Sequence, residues 1–142
     1  MTKIEQITAA LWQNDVFSQW LSLKIDAVTE GYCHLHFMVR PDMLNGFKTV
    51  HGGILFSAAD SAFGFACNSH GRISVALDVS MTFTKSANVG EVLSVEAKEV
   101  HLGNKTSVYD VVIRNEQADV VAIFKGTAYR TRKNVILSNH SD

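Results

Sequence analysis

Two hydrophobic periods alternate along this chain. From Thr2 to about Leu21, the residues Ile4, Ile7, Ala10, Leu11, Val16 and Trp20 recur at roughly helical spacing, broken near Asn14-Asp15, and predict an N-terminal helix. The period then shortens to two. Leu23–Thr29 predicts a strand closed by Glu30-Gly31. Tyr32–Arg40 predicts a second, with Cys33, Leu35, Phe37 and Val39 on one face and Tyr32, His34, His36 and Met38 on the other. Pro41 ends it, ahead of a loop over 42–50 containing Asn45-Gly46.

The segment from Gly53 to about Ser69, GILFSAADSAFGFACNS, has no proline and is too long for an ordinary strand; His70-Gly71 supplies a stop. It predicts a helix about 25 Å long. Apolar on nearly every side, it reads as a helix buried within the fold. Beyond it Ile73, Val75, Leu77, Val79, Met81 and Phe83 alternate strictly with polar or small residues. Further strands are predicted at about Glu91–Val100, Thr106–Asn115 and Val120–Arg130, joined by short turns that favour antiparallel neighbours. The expected class is α+β: one antiparallel sheet curled around one long apolar helix, as a single domain over 1–142 with a polar C-terminal tail from about 132.

Composition narrows the function. Lys and Arg total 13 against 14 Asp and Glu, a formal charge of -1, which argues against a broad nucleic-acid surface. Two cysteines, Cys33 and Cys67, form no CxxC pair and read as reduced thiols of a cytoplasmic protein. No apolar run reaches the roughly 20 residues of a membrane span, and the first residues lack a signal-peptide pattern.

Asp60 is the anomaly. It is the only charged residue between His51 and Arg72, and its neighbours three and four positions away (Phe56, Ser57, Phe63, Gly64) include no base. A carboxylate on such a helix is either capped, for instance by Ser57 or Ser61, or it belongs to a functional site. At the start of the same helix, His51-Gly52-Gly53 puts two glycines where the first amides lack intrahelical partners, a composition suited to an oxyanion hole or simply to a tight turn. Asp60 lies seven residues beyond Gly53, on nearly the same face but about 10 Å away along the axis. One reacting carbonyl cannot touch both. Either the two features are unrelated, or the amides come from one subunit and the carboxylate from another.

Met43-Leu44-Asn45, His51-Gly52-Gly53, Leu55 to Phe63 with Asp60, Ala66-Cys67-Asn68-Ser69, Val108-Tyr109-Asp110 and Phe124-Lys125-Gly126 together resemble the PaaI group of hotdog-fold thioesterases from phenylacetic acid degradation. The resemblance covers about residues 10 to 131. It implies the hotdog fold, a homodimer or a homotetramer made of two dimers, and hydrolysis of acyl-CoA thioesters with aryl-acetyl groups favoured. It implies Asp60 as catalytic carboxylate, Gly52 and Gly53 as the oxyanion segment, and Asn45 and His51 as residues that shape the site. Some hotdog relatives carry a hydroxyl residue where this chain has Ala76; Ser80 or Thr82 could supply one instead. No cofactor is expected. A thiolate leaves readily, so a dedicated general acid is not obligatory, and Asp60 could attack the carbonyl or activate water.

Phe56 and Phe63, flanking Asp60, are expected to line an acyl pocket, and Lys105 in the Gly103–Thr106 turn to contact CoA phosphate, with Lys85, Lys125 and Arg130 as weaker partners. His34 and His36 share a strand face but lack a third ligand at metal spacing, so no metal is expected. Cys67 with His70 would be an unusual nucleophilic pair, and His70, His101 and His140 read as solvated. Two other readings stand beside hydrolysis: chiefly a non-catalytic acyl-CoA-binding module, and behind it a hydratase or dehydratase, for which only His51 lies near the helix and its place in the glycine turn counts against that role.

Overall fold

The computed structural model describes residues 1–137. Its elements run α1 (Lys3–Asn14), α2 (Val16–Trp20), β1 (Lys24–Thr29), β2 (Tyr32–Met38), α3 (Gly52–Asn68), β3 (Arg72–Phe83), β4 (Val92–Leu102), β5 (Thr106–Arg114) and β6 (Val120–Asn134), with a 3-10 turn at Pro41–Met43. The predicted break in the N-terminal helix is real. Asp15 ends α1 and caps α2, its carboxylate accepting from the Ser18 amide.

The six strands form one antiparallel sheet in the order β1-β2-β4-β5-β6-β3. The sheet packs on α3, as the pattern of periods predicts. Cys33, Leu35, Phe37 and Val39 are buried together with Leu93, Val95, Val111, Ile113 and Phe124, and against them sit Leu55, Ala58, Ala59, Ala62 and Phe63 of α3. Alanines on the inner helix face let the backbone lie close to the sheet. The C-terminal end of α3 is tied to β3 by Asn68, whose Nδ2 donates to the Ser74 carbonyl and whose Oδ1 accepts from the Ser74 amide.

Three expectations need correction. The last strand continues to Asn134, so the tail predicted from about 132 begins later; residues 138–142, His140 among them, lie outside the described residues. The strict alternation of β3 fails as a burial pattern. Ala76 pairs with Ala128 and Asp78 with Thr127, which leaves Leu77 as an extra residue, a β-bulge. An odd insertion exchanges the faces. Ser74 is buried ahead of it and Val79 and Met81 pack on the core after it, while Val75 and Leu77 are 52% and 61% exposed. Finally, α3 is not enclosed all round: Gly53 and Asp60 are exposed and Ser57 and Gly64 half-buried, at spacings of four, seven and eleven residues, one open stripe along the helix.

Candidate active site

The open stripe of α3 leads into a cavity of about 360 Å³ roofed by α1 and α2, with Asp60 and Asp15 among its lining residues. Its apolar walls are Leu11, Phe17, Phe56 and Phe65. Neither serine caps the carboxylate. Ser57 Oγ donates to the Gly53 carbonyl at 2.7 Å, and Ser61 Oγ pairs with Ser18 Oγ at 2.7 Å. Among the described residues Asp60 has no hydrogen-bond or ion-pair partner. Loss of hydration against the apolar walls, reinforced by the Asp15 carboxylate, raises its pKa above the ordinary value. An unpartnered carboxylate, partly desolvated in a cleft, marks Asp60 as a candidate functional group.

The glycine turn opens on a separate cleft of about 470 Å³, lined by Asn45, Gly52, Phe83 and Lys85 among others. His51 is the N-cap of α3, and its Nδ1 accepts the Gly53 amide at 2.8 Å. Gly53 N–H is therefore occupied. Gly52 N–H has no partner among the described residues, which leaves it as the amide open to an incoming oxygen. A Cβ on Gly52 would stand 3.2 Å from the Phe83 ring, a contact the ring would have to yield to, and its φ is not positive. Asn45 Oδ1 accepts from the amides of Phe47 and Thr49 at 2.9 and 3.2 Å, which folds the loop that frames the cleft.

The predicted substrate contacts divide. Phe56 lines the Asp60 cavity, edge-on to Phe124 at 5.7 Å. Phe63 does not line it. At 2% exposure it is a core residue, wedged between Tyr109 and Phe124 at 5.7 and 5.6 Å and above Gly126, where any Cβ would collide with its ring. Phe63→Ala should lower stability by about 3–5 kcal/mol in urea denaturation without altering KM; a KM effect at unchanged stability would return Phe63 to the pocket. Lys105 is exposed on the turn between β4 and β5 and lines neither cavity. The cation beside Gly52 is Lys85, paired with Asp119 at 2.8 Å. Ser80 and Thr82 are exposed and alternate with the inward Val79 and Met81, so they point away from their own α3.

The remaining candidates have structural partners. Cys67 is buried, with its thiol pushed up to about 12 by desolvation, the reverse of an activated nucleophile. His70 is not solvated: Nε2 meets Glu99 Oε1 at 2.7 Å, and the same oxygen accepts the Tyr109 hydroxyl at 2.7 Å. His34 and His36 both turn Nδ1 to Asp26. Among the described residues no helix is long and apolar enough to cross a membrane. The sequence reading missed Asp15, Leu11 and Phe17, which the break before α2 folds over Asp60. Asn14-Asp15 was the visible signal.

A family model described as the thioesterase superfamily matches residues 47–122. The acyl-coenzyme A thioesterase PaaI of Escherichia coli is 38% identical over 128 residues, which are 90% of this chain and 91% of that protein. The solved structure of the E. coli PaaI protein from the phenylacetic acid degradation operon superposes with a TM-score of 0.91 at 37% identity, covering 93% of this chain and 96% of that one. A Streptococcus mutans protein solved with bound acetyl-CoA reaches a TM-score of 0.77 at 28% identity, with 79% of this chain and 90% of that one covered. With these likenesses set beside a sheet wrapped on one helix, the chain belongs to the thioesterase superfamily, as a thioester hydrolase of the PaaI-type hotdog group.

Proposed function

We propose that the chain is an acyl-CoA thioesterase acting on aryl-acetyl thioesters such as phenylacetyl-CoA, working as a single hotdog domain in a homodimer that pairs further into a tetramer. The observation that carries the reading is the unpartnered Asp60 carboxylate in an aromatic-walled cavity. Three further features support it: the free Gly52 amide in its own cleft, the acyl-CoA activity in the name of the E. coli relative, and acetyl-CoA in the S. mutans structure.

The thioester carbonyl oxygen accepts from Gly52 N–H, at the positive end of α3, where negative charge is favoured as the tetrahedral centre forms. Asp60, ionised, attacks the carbonyl carbon or takes the proton of an attacking water. The C–S bond then breaks and CoA leaves as thiolate; where Asp60 itself attacked, water then hydrolyses the acyl–Asp60 anhydride, freeing the acid and restoring the carboxylate. Gly53, with its amide on His51, holds the turn, and His51 and Asn45 position it. Lys85 stands where a CoA phosphate could replace Asp119.

Gly52 and Asp60 lie about 12 Å apart along one helix, so the two halves act together across subunits. The edge strand β3 favours this. Twelve residues long and unpaired on one side, it shows Val75, Leu77 and Phe83 at 52%, 61% and 53% exposure, a strand edge suited to a second copy. Antiparallel pairing of two such edges lays the Phe83 and Gly52 end of one chain beside the Arg72 end of the other, toward the second half of its α3. The test is thiol release from phenylacetyl-, benzoyl- and straight-chain acyl-CoA. Turnover with phenylacetyl-CoA leading is expected; binding of these esters with no thiol released would favour a sensing module instead.

A further inference from the structure

The cavity over Asp60 has one wall that the hydrolytic groups do not explain. The helix α2 spans only Val16–Trp20, yet it is fastened on two sides. Ser18, 1% exposed, donates its hydroxyl proton to Asp15 Oδ2 at 2.6 Å, so at the 2.7 Å contact with Ser61 the donor is Ser61. This clasp closes on the residue next to Asp60. On the other side Phe17 stacks on Trp20, with ring centres 5.8 Å apart and planes at 23°. The Arg40 guanidinium lies 5.0 Å over the Trp20 ring and is itself held by Asp42 and Ser22, each at 3.0 Å. Phe17, so fixed, keeps half of its surface exposed and lines the cavity. A large apolar ring held open beside an unpartnered carboxylate has the properties of a ligand contact.

We propose that Phe17 is a specificity-determining residue, forming with Phe56 and Phe65 an aromatic wall that selects flat aromatic acyl groups over straight alkyl chains. The proposal rests on the thioesterase reading above and narrows it. An aromatic acyl group gains edge or offset contacts with these rings beyond the area it buries. An alkyl chain gains the area alone and loses rotamer freedom on being ordered. Because the clasp and the Trp20–Arg40 stack hold Phe17 before the substrate arrives, little of that gain is spent on ordering the wall.

The test compares kcat/KM for phenylacetyl-CoA and hexanoyl-CoA in the wild type, Phe17→Ala and Phe17→Leu, beside calorimetric binding of the matching non-hydrolysable thioether analogues. Phe17→Ala should lower the aromatic-to-alkyl ratio about 3- to 10-fold in both readouts, with Phe17→Leu between. A ratio unchanged in both variants overturns the proposal. Should the wild type bind the analogues with a preference that Phe17→Ala erodes, yet hydrolyse neither ester, the wall stands and the hydrolytic reading falls. If it binds neither analogue, both fall. A Phe17→Ala protein that does not fold leaves Phe17→Leu, which retains apolar bulk, to decide.

Discussion

If Asp60 acts as proposed, Asp60→Asn should lower turnover roughly 100- to 10,000-fold with little change in KM, because the amide keeps the shape of the carboxylate and removes only its basicity. The same group should set the acid limb of the pH profile. In the proposed mechanism its ionised form is the active one, so kcat/KM should rise with pH through a pKa raised above the ordinary Asp value. Asp15→Asn removes the neighbouring negative charge and moves that midpoint down. Stability separates this from a folding defect. A raised native pKa means that the folded chain holds the proton more tightly than the unfolded chain. The linked stability is present at low pH and is lost as pH rises through the native pKa. At neutral pH the ionised carboxylate thus works against the fold, and Asp60→Asn melts no lower than the wild type. Turnover within a few-fold of normal would remove Asp60 from the mechanism.

Two inactive proteins should restore activity when combined. Gly52→Val drives a side chain toward the Phe83 ring, 3.2 Å from the ideal Cβ, and displaces the open amide; the loss of one oxyanion donor costs about 100- to 1,000-fold in kcat. In a two-fold dimer with composite sites, each site takes Gly52 from one chain and Asp60 from the other. A mixed Asp60→Asn and Gly52→Val dimer then has one site with both lesions and one with neither. Random assortment on co-expression makes half of the dimers mixed, so about a quarter of wild-type activity returns. With both groups supplied by one chain, every site carries a lesion and nothing returns, an outcome that would end the composite-site proposal.

The architecture was legible because burial sets period, and period is written in the order of residues. Strand β2 and helix α3 show this: Cys33, Leu35, Phe37 and Val39 alternate to one buried face, and the seventeen residues from Gly53, rich in Ala, Leu and Phe with no proline, read as the helix that the structure places at Gly52–Asn68. Strand β3 was misread because its sequence alternates perfectly while its pairing does not. Leu77 is apolar and in phase, and nothing local distinguishes a bulged residue from a paired one. The carboxylate was legible by contrast with its neighbours. Phe63 and Phe56 were indistinguishable in sequence, both being aromatic and near Asp60; only the close fit of Phe63 over Gly126 separates core from pocket. Asp15 and Phe17 reach the site through a turn between two short helices, and periodicity holds no record of where such a turn points.

The two thiols carry a practical consequence. Cys33 and Cys67 are buried at 0% and 2% exposure, and each is pushed up to about 12. Burial keeps both sulfurs protonated at pH 8 and out of reach of a bulky aromatic disulfide. The native protein should therefore be silent toward colorimetric thiol reagents. Every equivalent of colour that develops in its presence is coenzyme set free, and a slow colour burst without ester marks unfolded chain.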